Sequence, residues 1–271
     1  MTQENLRNFD TLLVERKGAA LFVTFNRPQS RNALSAAMWQ EIDEVFAAVR
    51  DDRSVRAIVL RGAGGNFSAG GDLRERDTIR DTAGTHEALK RRNSIGGEIL
   101  LRIGRSPQVV IAVVEGHALG GGFGLACLAD IVIAHENAVF RMPELGLGIP
   151  PAQIAPYLIR RTGFAIARRL ALTVATISGR EAVAFGIADF FCATSQDIED
   201  RLGSVLADVQ CCGPEAIGRT RELLSVASEG PSENYIDYAA NAFADAYLSA
   251  EGQEGAAAIR ERRRPQWQEQ R

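Results

Sequence analysis

Lysine is nearly absent from this chain: among its 271 residues only Lys17 and Lys90 are lysines, and arginine carries almost all the positive charge. The formal net charge is −3, which excludes a general electrostatic attraction to nucleic acid or to an acidic membrane surface. We therefore expect neither nucleic acid nor a membrane among the partners of this protein.

Cysteine is also scarce, and its spacing excludes the common metal-binding patterns. The four cysteines are Cys127, Cys192, Cys211 and Cys212, with no CxxC pair and no histidine at the spacing of a metal ligand. We expect no metal site. Reduced, buried thiols in a cytoplasmic protein are the simplest interpretation of these residues.

Long apolar runs are missing as well. The longest ones contain glycine or are too short to cross a bilayer, and the polar residues 1–10 lack the apolar core of a signal peptide. The hydrophobic fraction of 46% and the charged fraction of 24% are ordinary for a globular protein. We expect a cytoplasmic protein, with the chain forming one α/β unit.

Glycine, in contrast, is concentrated in two clusters that each follow an apolar run. Leu119–Gly124 follows the strand-like run Val109–Val114, and Arg61–Asp72 follows the run Val55–Leu60. Glycine lets a ligand approach the main chain closely, and the first N–H groups of a helix are free to bind a negative charge. Two such loops predict two N–H donors converging on one oxygen, the arrangement of an oxyanion hole. Each loop alone could equally be a tight turn.

The hydrophobic periodicity predicts a strand-rich first half and a helical last third. Leu12–Glu15 and Ala20–Phe25 read as strands, Ser35 as the cap of a helix to about Arg50, and charged residues 74–90 as a mobile loop. Further predicted helices are Ile95–Ile103, 164–173, 179–185, Asp197–Val209, Pro214–Ala227, Glu233–Leu248 and Glu254–Arg263.

Several linked motifs identify the family that this chain resembles. In order, they are Asn26-Arg27-Pro28 with Asn32-Ala33-Leu34, Phe67–Leu73, His117–Gly122, Ala129-Asp130, Phe140–Glu144 and Glu261–Pro265. Their sequence and spacing closely resemble the crotonase superfamily, the enoyl-CoA hydratase/isomerase family, across nearly the whole chain.

The resemblance implies an α/β fold, a crotonase spiral of ββα units with a C-terminal helical trimerisation region. We place the spiral core with its CoA thioester site in residues 1–200 and the helical region for subunit contacts in residues 201–271. The implied partners are an acyl-CoA thioester substrate and further copies of the chain, in a homotrimer or hexamer. No separate cofactor is expected, because coenzyme A is part of the substrate.

The resemblance also assigns the site residues. Gly71 and Gly121 would supply the two oxyanion N–H groups, and Glu144 would be the acid/base. Further substrate- and CoA-binding positions are Ala69, Gly70, Asp72, Gly120 and the arginines Arg27, Arg74 and Arg262, the last acting on the ligand of a neighbouring subunit. For Arg27 a solvated surface position is an equal interpretation.

One departure from the family stands out: Gly124 occupies the position where hydratases typically carry a first glutamate. Single-glutamate members include enoyl-CoA isomerases and some bacterial hydratases of 3-branched glutaconyl-CoA substrates. The segment Ile149–Tyr157, with 122–125, resembles the methylglutaconyl- and isohexenylglutaconyl-CoA hydratase branch. Hydration of such a substrate is the leading interpretation, with a Δ3-Δ2-enoyl-CoA isomerase and a catalytically weak acyl-CoA-binding member as alternatives.

What compensates for Gly124 stays open at this point. A water molecule in the space left by the glycine and the substrate's own second carboxylate are both candidates, and Arg141, Arg160 and Arg161 are close in sequence to Glu144. We expect His117 to pack against the glycine turn rather than to act as a base.

Overall fold

The computed structural model describes residues 9–75, 84–228 and 230–269. Its strands are β1 Leu12–Lys17, β2 Ala20–Phe25, β3 Ala57–Gly62, β4 Val109–Val114, β5 His117–Leu119, β6 Ile131–His135, β7 Val139–Arg141, β8 Ile177–Ser178 and β9 Phe190–Cys192. Among these residues one sheet has the order β1-β2-β3-β4-β6-β9, antiparallel between β1 and β2 and parallel elsewhere, and a second has the order β5-β7-β8.

The helices surround these sheets and extend beyond them at the C-terminal end. They are α1 Ala36–Val49, α2 Thr85–Gly104, α3 Gly121–Leu128, α4 Ala155–Thr162, α5 Phe164–Thr173, α6 Gly179–Ala184, α7 Ser195–Cys211, α8 Pro214–Ala227, α9 Glu233–Leu248, α10 Ala250–Glu261 and α11 Gln266–Glu269. None of the helices within the described ranges has the length and apolar character that a bilayer crossing requires.

The central strands are buried on both faces, which explains their continuous apolar sequences. On one face, Ile58 and Leu60 of β3 join a core built with α1, α2 and α3. On the other face, Val59 pairs with Ile111 of β4 in a second core that Ile198 and other residues of α7 cover. The predicted domain boundary at residue 200 therefore lies within a helix that packs on the sheet.

The register of β3 and β4 positions the two glycine clusters. Leu60 pairs with Ala112 in a parallel ladder, so both strands end at the same edge of the sheet. Because ligands bind at the carboxyl ends of strands in α/β sheets, this edge is the expected place for a site.

Most sequence-based elements are confirmed, and some with the predicted bounds. The helix after Ser35 is α1, where the Ser35 side chain accepts a hydrogen bond from the Met38 N–H, and Pro214–Ala227 and Glu233–Leu248 are helices as predicted.

The mobile-loop prediction for 74–90 is wrong from Thr85 on, because α2 begins there; residues 76–83 lie outside the described ranges. Cys127 and Cys192 are buried as predicted, but Cys211 and Cys212 are exposed.

Candidate active site

The two glycine loops are joined by backbone hydrogen bonds. The Phe67 N–H donates to the Glu115 carbonyl (2.8 Å), and the Ser68 N–H donates to the His117 carbonyl (2.8 Å). In return the Leu119 N–H donates to the Ser68 carbonyl at 2.9 Å, so that Ser68 forms a parallel bridge with the strand β5. This short ladder holds the first loop at a set distance from the second.

The N–H of Gly71 is directed away from its strand neighbour. Leu34 donates to the Gly70 carbonyl (2.8 Å) and accepts from the Asp72 N–H (3.2 Å), which makes a parallel bridge between Leu34 and Gly71. In such a bridge the residues before and after Gly71 make the hydrogen bonds with Leu34, so the Gly71 N–H points to the opposite edge of this segment, away from Leu34.

Gly121 lies at that opposite edge. It is the first residue of α3, so its N–H is one of the donors that a helix start leaves without an intrahelical acceptor. A Cβ built on Gly121 would lie 3.9 Å from the Gly71 nitrogen. Within the described ranges neither N–H donates to a protein acceptor, so both can bind one oxygen atom of a ligand.

Gly70 and Gly120 make this approach of the two loops sterically possible. Gly70 has φ +84°, and a Cβ on it would lie 2.6 Å from the carbonyl oxygen of Leu119. Gly120 has φ +48°, and a Cβ on it would lie 2.8 Å from Oε1 of Glu144. Any side chain at either position would push the loops or the carboxylate away.

Glu144 is held close to the glycine loop by its own strand. The Gly120 N–H donates to the Arg141 carbonyl at the end of β7 (3.0 Å), and Glu144 follows three residues later as the first residue of a 3₁₀ turn, Glu144–Leu147. Its Oε2 atom is buried. The structure therefore places a carboxylate beside the pair of free N–H groups; the acid/base role of Glu144 stays a prediction.

Gly124 does not leave an empty space. A Cβ on Gly124 would lie 2.3 Å from Cγ2 and 2.7 Å from Cβ of Ile154, whose side chain is only 7% exposed. An isoleucine thus fills the space where the sequence suggested a bound water molecule, so a water there cannot replace the missing glutamate.

Arg27 and Asp72 form an ion pair below the first loop. Nη1 of Arg27 donates to Oδ2 of Asp72 (2.9 Å) and to the Ala33 carbonyl (2.6 Å), with side chains 22% and 8% exposed. Burial alone raises the pKa of Asp72, but hydrogen bonds from Arg27 and from backbone N–H groups lower that pKa below its ordinary value overall. This pair fixes the segment that carries the Gly71 N–H; a phosphate contact of Arg27 stays a prediction.

The remaining predicted ligand contacts lie at the margins. The backbone N–H of Arg74 donates to Oδ1 of Asp72 (3.1 Å), and its side chain is exposed. Arg262 ends α10 in a left-handed conformation and is exposed. The Ala69 N–H donates to the Arg31 carbonyl at 2.8 Å, so the backbone of Ala69 helps to fix the conformation of the first loop. Their contacts with coenzyme A stay predictions.

The three arginines near Glu144 in sequence have other surroundings. Arg161 donates to the carbonyl of Asp130 (3.1 Å) just beyond the C-terminal end of α3. Gly121 lies at the other end of this eight-residue helix, roughly 10 Å away. Arg160 lines a cavity of about 350 Å³ there, and the exposed Arg141 donates to the Val174 carbonyl (3.2 Å).

Asn32 is a structural residue of the site to which the sequence analysis assigned no role. It is fully buried at φ +56°, its Oδ1 accepts from the Arg27 N–H (2.9 Å), and its Nδ2 donates to the Ala63 (2.9 Å) and Asn66 (2.6 Å) carbonyls. Asparagine tolerates this left-handed conformation better than most residues. That preference is the signal that could have identified it.

Two further groups lie close to Gly121 and to Ile154. The Trp39 ring lies 3.9 Å from a Cβ built on Gly121 and 4.0 Å from one built on Gly96 of α2. Next to Ile154, Nε2 of Gln153 donates to Oδ1 of Asn93 at 2.8 Å. These contacts join segments distant in sequence, so no local pattern indicates them.

The His117 side chain contacts the first glycine loop. Its Nδ1 lies 2.8 Å from Oδ1 of Asn66 in that loop. The ring therefore packs between the loops and strengthens the ladder that joins them.

Comparison with known proteins gives one consistent result. Residues 15–270 match the family described as Enoyl-CoA hydratase/isomerase. A probable enoyl-CoA hydratase of Rhizobium meliloti (strain 1021) is 35% identical over 223 residues, which cover 80% of this chain and 84% of the relative. A probable enoyl-CoA hydratase of Bacillus subtilis (strain 168) is 31% identical over 261 residues, 96% of this chain and 98% of the relative.

Solved structures agree in fold over nearly the full length. Pseudomonas aeruginosa AtuE is 48% identical, with a TM-score of 0.92 over 96% of this chain and 100% of its own. An enoyl-CoA hydratase/isomerase from Marinobacter aquaeolei is 40% identical, with a TM-score of 0.92 over 96% of this chain and 99% of its own. The oxyanion-type loops thus belong to an enzyme with the crotonase fold, and the chain is a member of the enoyl-CoA hydratase/isomerase family.

Proposed function

We propose that the protein is an enoyl-CoA hydratase, a lyase that adds water across the α,β double bond of an acyl-CoA thioester. The observation that carries the proposal is the facing pair of free N–H groups of Gly71 and Gly121 with the Glu144 carboxylate beside them. The names of the relatives, enoyl-CoA hydratases among them, support the same reaction class.

In this proposal the thioester carbonyl oxygen accepts hydrogen bonds from Gly71 and Gly121. The Glu144 carboxylate takes a proton from water, whose oxygen bonds to Cβ, while the π electrons of the double bond move toward the carbonyl oxygen. Glu144 then returns the proton to Cα, and the thioester carbonyl re-forms. No group besides the substrate's own coenzyme A is needed.

The N–H pair stabilises the transition state more than the substrate, because the carbonyl oxygen becomes negative only during the reaction. Loss of one such donor costs about 2.7–4 kcal/mol in measured oxyanion holes. The ladder between the loops keeps both donors in place beforehand, so little reorganisation is required when the charge develops.

For the substrate we propose a 3-branched glutaconyl-CoA, such as methylglutaconyl- or isohexenylglutaconyl-CoA. Ile154 against Gly124 leaves no room for a second glutamate at residue 124, so help from the substrate's own second carboxylate becomes the favoured way to compensate.

An isomerase that moves a double bond is the second candidate, and the contact of Ile154 with Gly124 favours it specifically. One carboxylate that removes a proton and returns it elsewhere suffices for that reaction. A catalytically weak acyl-CoA-binding member would have no use for Glu144 at the oxyanion loop, which argues against that alternative.

We also propose that copies of the chain associate through the C-terminal helices, as a trimer or hexamer. Large apolar side chains on α8, α9 and α10 are exposed in the single chain, and burying them in subunit contacts would be favourable. They are Leu224, Ile236, Phe243, Leu248 and Ile259. Location in the cytoplasm stays a prediction from the sequence.

The test is the replacement Glu144→Gln, assayed on crotonyl-CoA and on 3-methylglutaconyl-CoA with product masses. We expect the wild type to add one water to the branched diacid, and the variant to lose roughly 10²–10⁴-fold of the rate, since it retains shape but no proton transfer. Glu136→Gln, at an exposed glutamate, is the control and keeps full rate.

The outcomes separate the candidates. Hydration that persists in the Glu144→Gln variant contradicts the proposed role. No mass change with either substrate, together with a double-bond shift in a 3-enoyl-CoA, establishes the isomerase instead.

A further inference from the structure

The start of α3 contacts both Glu144 and Ile154. The Gly124 N–H donates to the Gly120 carbonyl (2.9 Å), so these glycines lie one helical turn apart, about 5.4 Å along the axis. Glu144 lies over Gly120, at 2.8 Å from its built Cβ, and Ile154 lies over Gly124, at 2.3 Å. The carboxylate and the isoleucine therefore contact positions one turn apart at the start of α3.

Ile154 lies so close to Gly124 that no side chain fits at residue 124. Even the methyl group of alanine would overlap Cγ2 and Cβ of Ile154, at 2.3 and 2.7 Å, while the Ile154 Cα stays at an ordinary 3.7 Å. Ile154 is buried and precedes α4, whose first turn packs beside α3. The space beside Gly124 is thus apolar and filled by Ile154.

We propose that Ile154, with Gly124, is a specificity-determining residue: it keeps a second acid/base side chain of the protein, or a water molecule in its place, away from residue 124, so that Glu144 is the protein group that transfers protons there. The proposal rests on the proposed function for the role of Glu144. It predicts that the part of the substrate that faces Ile154 is apolar, so that the second carboxylate of a diacid lies elsewhere in the site. It also predicts that a carboxylate introduced at residue 154 reaches the reacting carbons.

The steric part is tested by the change in melting temperature that Gly124→Ala causes with different residues at 154. With Ile154 present, Gly124→Ala should lower Tm by about 3 °C or more, since about 1 kcal/mol shifts Tm by 2–4 °C in a chain of this size. In an Ile154→Ala background the loss should shrink. In an Ile154→Gly background it should reverse to a gain, because alanine is the better helix former.

Gly203→Ala is the matched control, since Gly203 lies inside α7 with open space around its built Cβ. It should raise Tm slightly in every background. A Gly124→Ala effect that is the same whatever residue stands at 154 overturns the steric coupling, and the Ile154→Ala series decides this even if the Ile154→Gly protein does not fold.

The chemical part is tested by exchange of the α-hydrogens of butyryl-CoA for deuterium in D₂O, followed by mass. Exchange needs only a base that removes the Cα proton and returns a deuteron, so it does not depend on hydration. We expect Glu144→Gln to abolish exchange, Glu144→Gln/Ile154→Glu to recover it at least 10-fold over the single variant, and Glu144→Gln/Ile154→Gln to recover nothing.

Recovery by glutamate and not by glutamine places residue 154 at the reacting carbons, which a packing role alone cannot do. Equal rates in both double variants overturn the proposal. Failure of the proposed function gives a different result: the wild-type protein adds water to neither enoyl-CoA. The Tm series still shows in that case whether residues 124 and 154 are coupled.

Discussion

Replacement of Gly70 by alanine tests whether the spacing of the two loops controls catalysis. Gly70 has φ +84°, and an added Cβ would lie 2.6 Å from the Leu119 carbonyl oxygen and 3.4 Å from the Gly121 nitrogen. The methyl group would therefore press on the segment that carries one of the two oxyanion donors. Both a conformational cost and a displacement of that donor follow.

The two costs can be separated with Gly18→Ala. Gly18 has φ +58° in the β1–β2 turn, with nothing within 4 Å of its built Cβ. Alanine there incurs only the left-handed backbone penalty, about 1–2 kcal/mol of stability. Gly70→Ala adds displacement of the Leu119–Gly121 segment, equivalent to losing one donor, roughly 10²–10³ in kcat.

The assay is steady-state hydration by both variants, with urea unfolding alongside. We expect Gly18→Ala to lose stability and keep kcat/KM, and Gly70→Ala to lose kcat more than KM, since the donor acts mainly on the transition state. If folded Gly70→Ala protein hydrates as fast as Gly18→Ala, the loop spacing does not control the reaction and our reasoning is refuted.

Two predictions concern other groups. Asp72→Asn should lower the free energy of unfolding, measured in urea, by about 1.5–3 kcal/mol, because it removes the charged partner of Arg27. Since the pKa of Asp72 is lowered in the folded state, this difference should be present above about pH 4 and vanish as the pH falls through the folded pKa. Burial raises the pKa of Cys127 to about 12. Iodoacetamide at pH 8 should therefore modify the exposed Cys211 and Cys212, while Cys127 reacts only in urea; peptide masses identify the labelled residues. Rapid labelling of Cys127 in the native protein would contradict its burial.

Elements with a strong apolar pattern could be predicted from the sequence, whereas contacts between distant segments could not. The run Val109–Val114 is β4 as predicted, because parallel strands buried on both faces need continuous apolar sequence. The first two turns of α2, from Thr85 to about Arg92, were missed, because this charged stretch has no apolar face to reveal its period.

The same distinction holds within the site. Glycine clusters after two strands indicated the N–H pair, since that feature is local to each loop. The contact of Ile154 with Gly124 joins residues 30 positions apart, and the ion pair of Arg27 with Asp72 joins residues 45 apart. No periodicity or motif specifies such pairs; only the packing of α3 and the first loop does.

The ladder between Phe67–Ser68 and Glu115–Leu119 has a consequence for how such an enzyme diversifies. Because main-chain atoms supply the oxyanion donors and the hydrogen bonds of the ladder, substitutions other than those of the loop glycines and of the side chains that brace the loops leave the charge-stabilising part intact. Residues 124, 144 and 154 can then change, and the reaction with them, without rebuilding that part. New chemistry can arise in this scaffold by drift at a few side chains, while a fixed backbone preserves the ability to stabilise a thioester enolate.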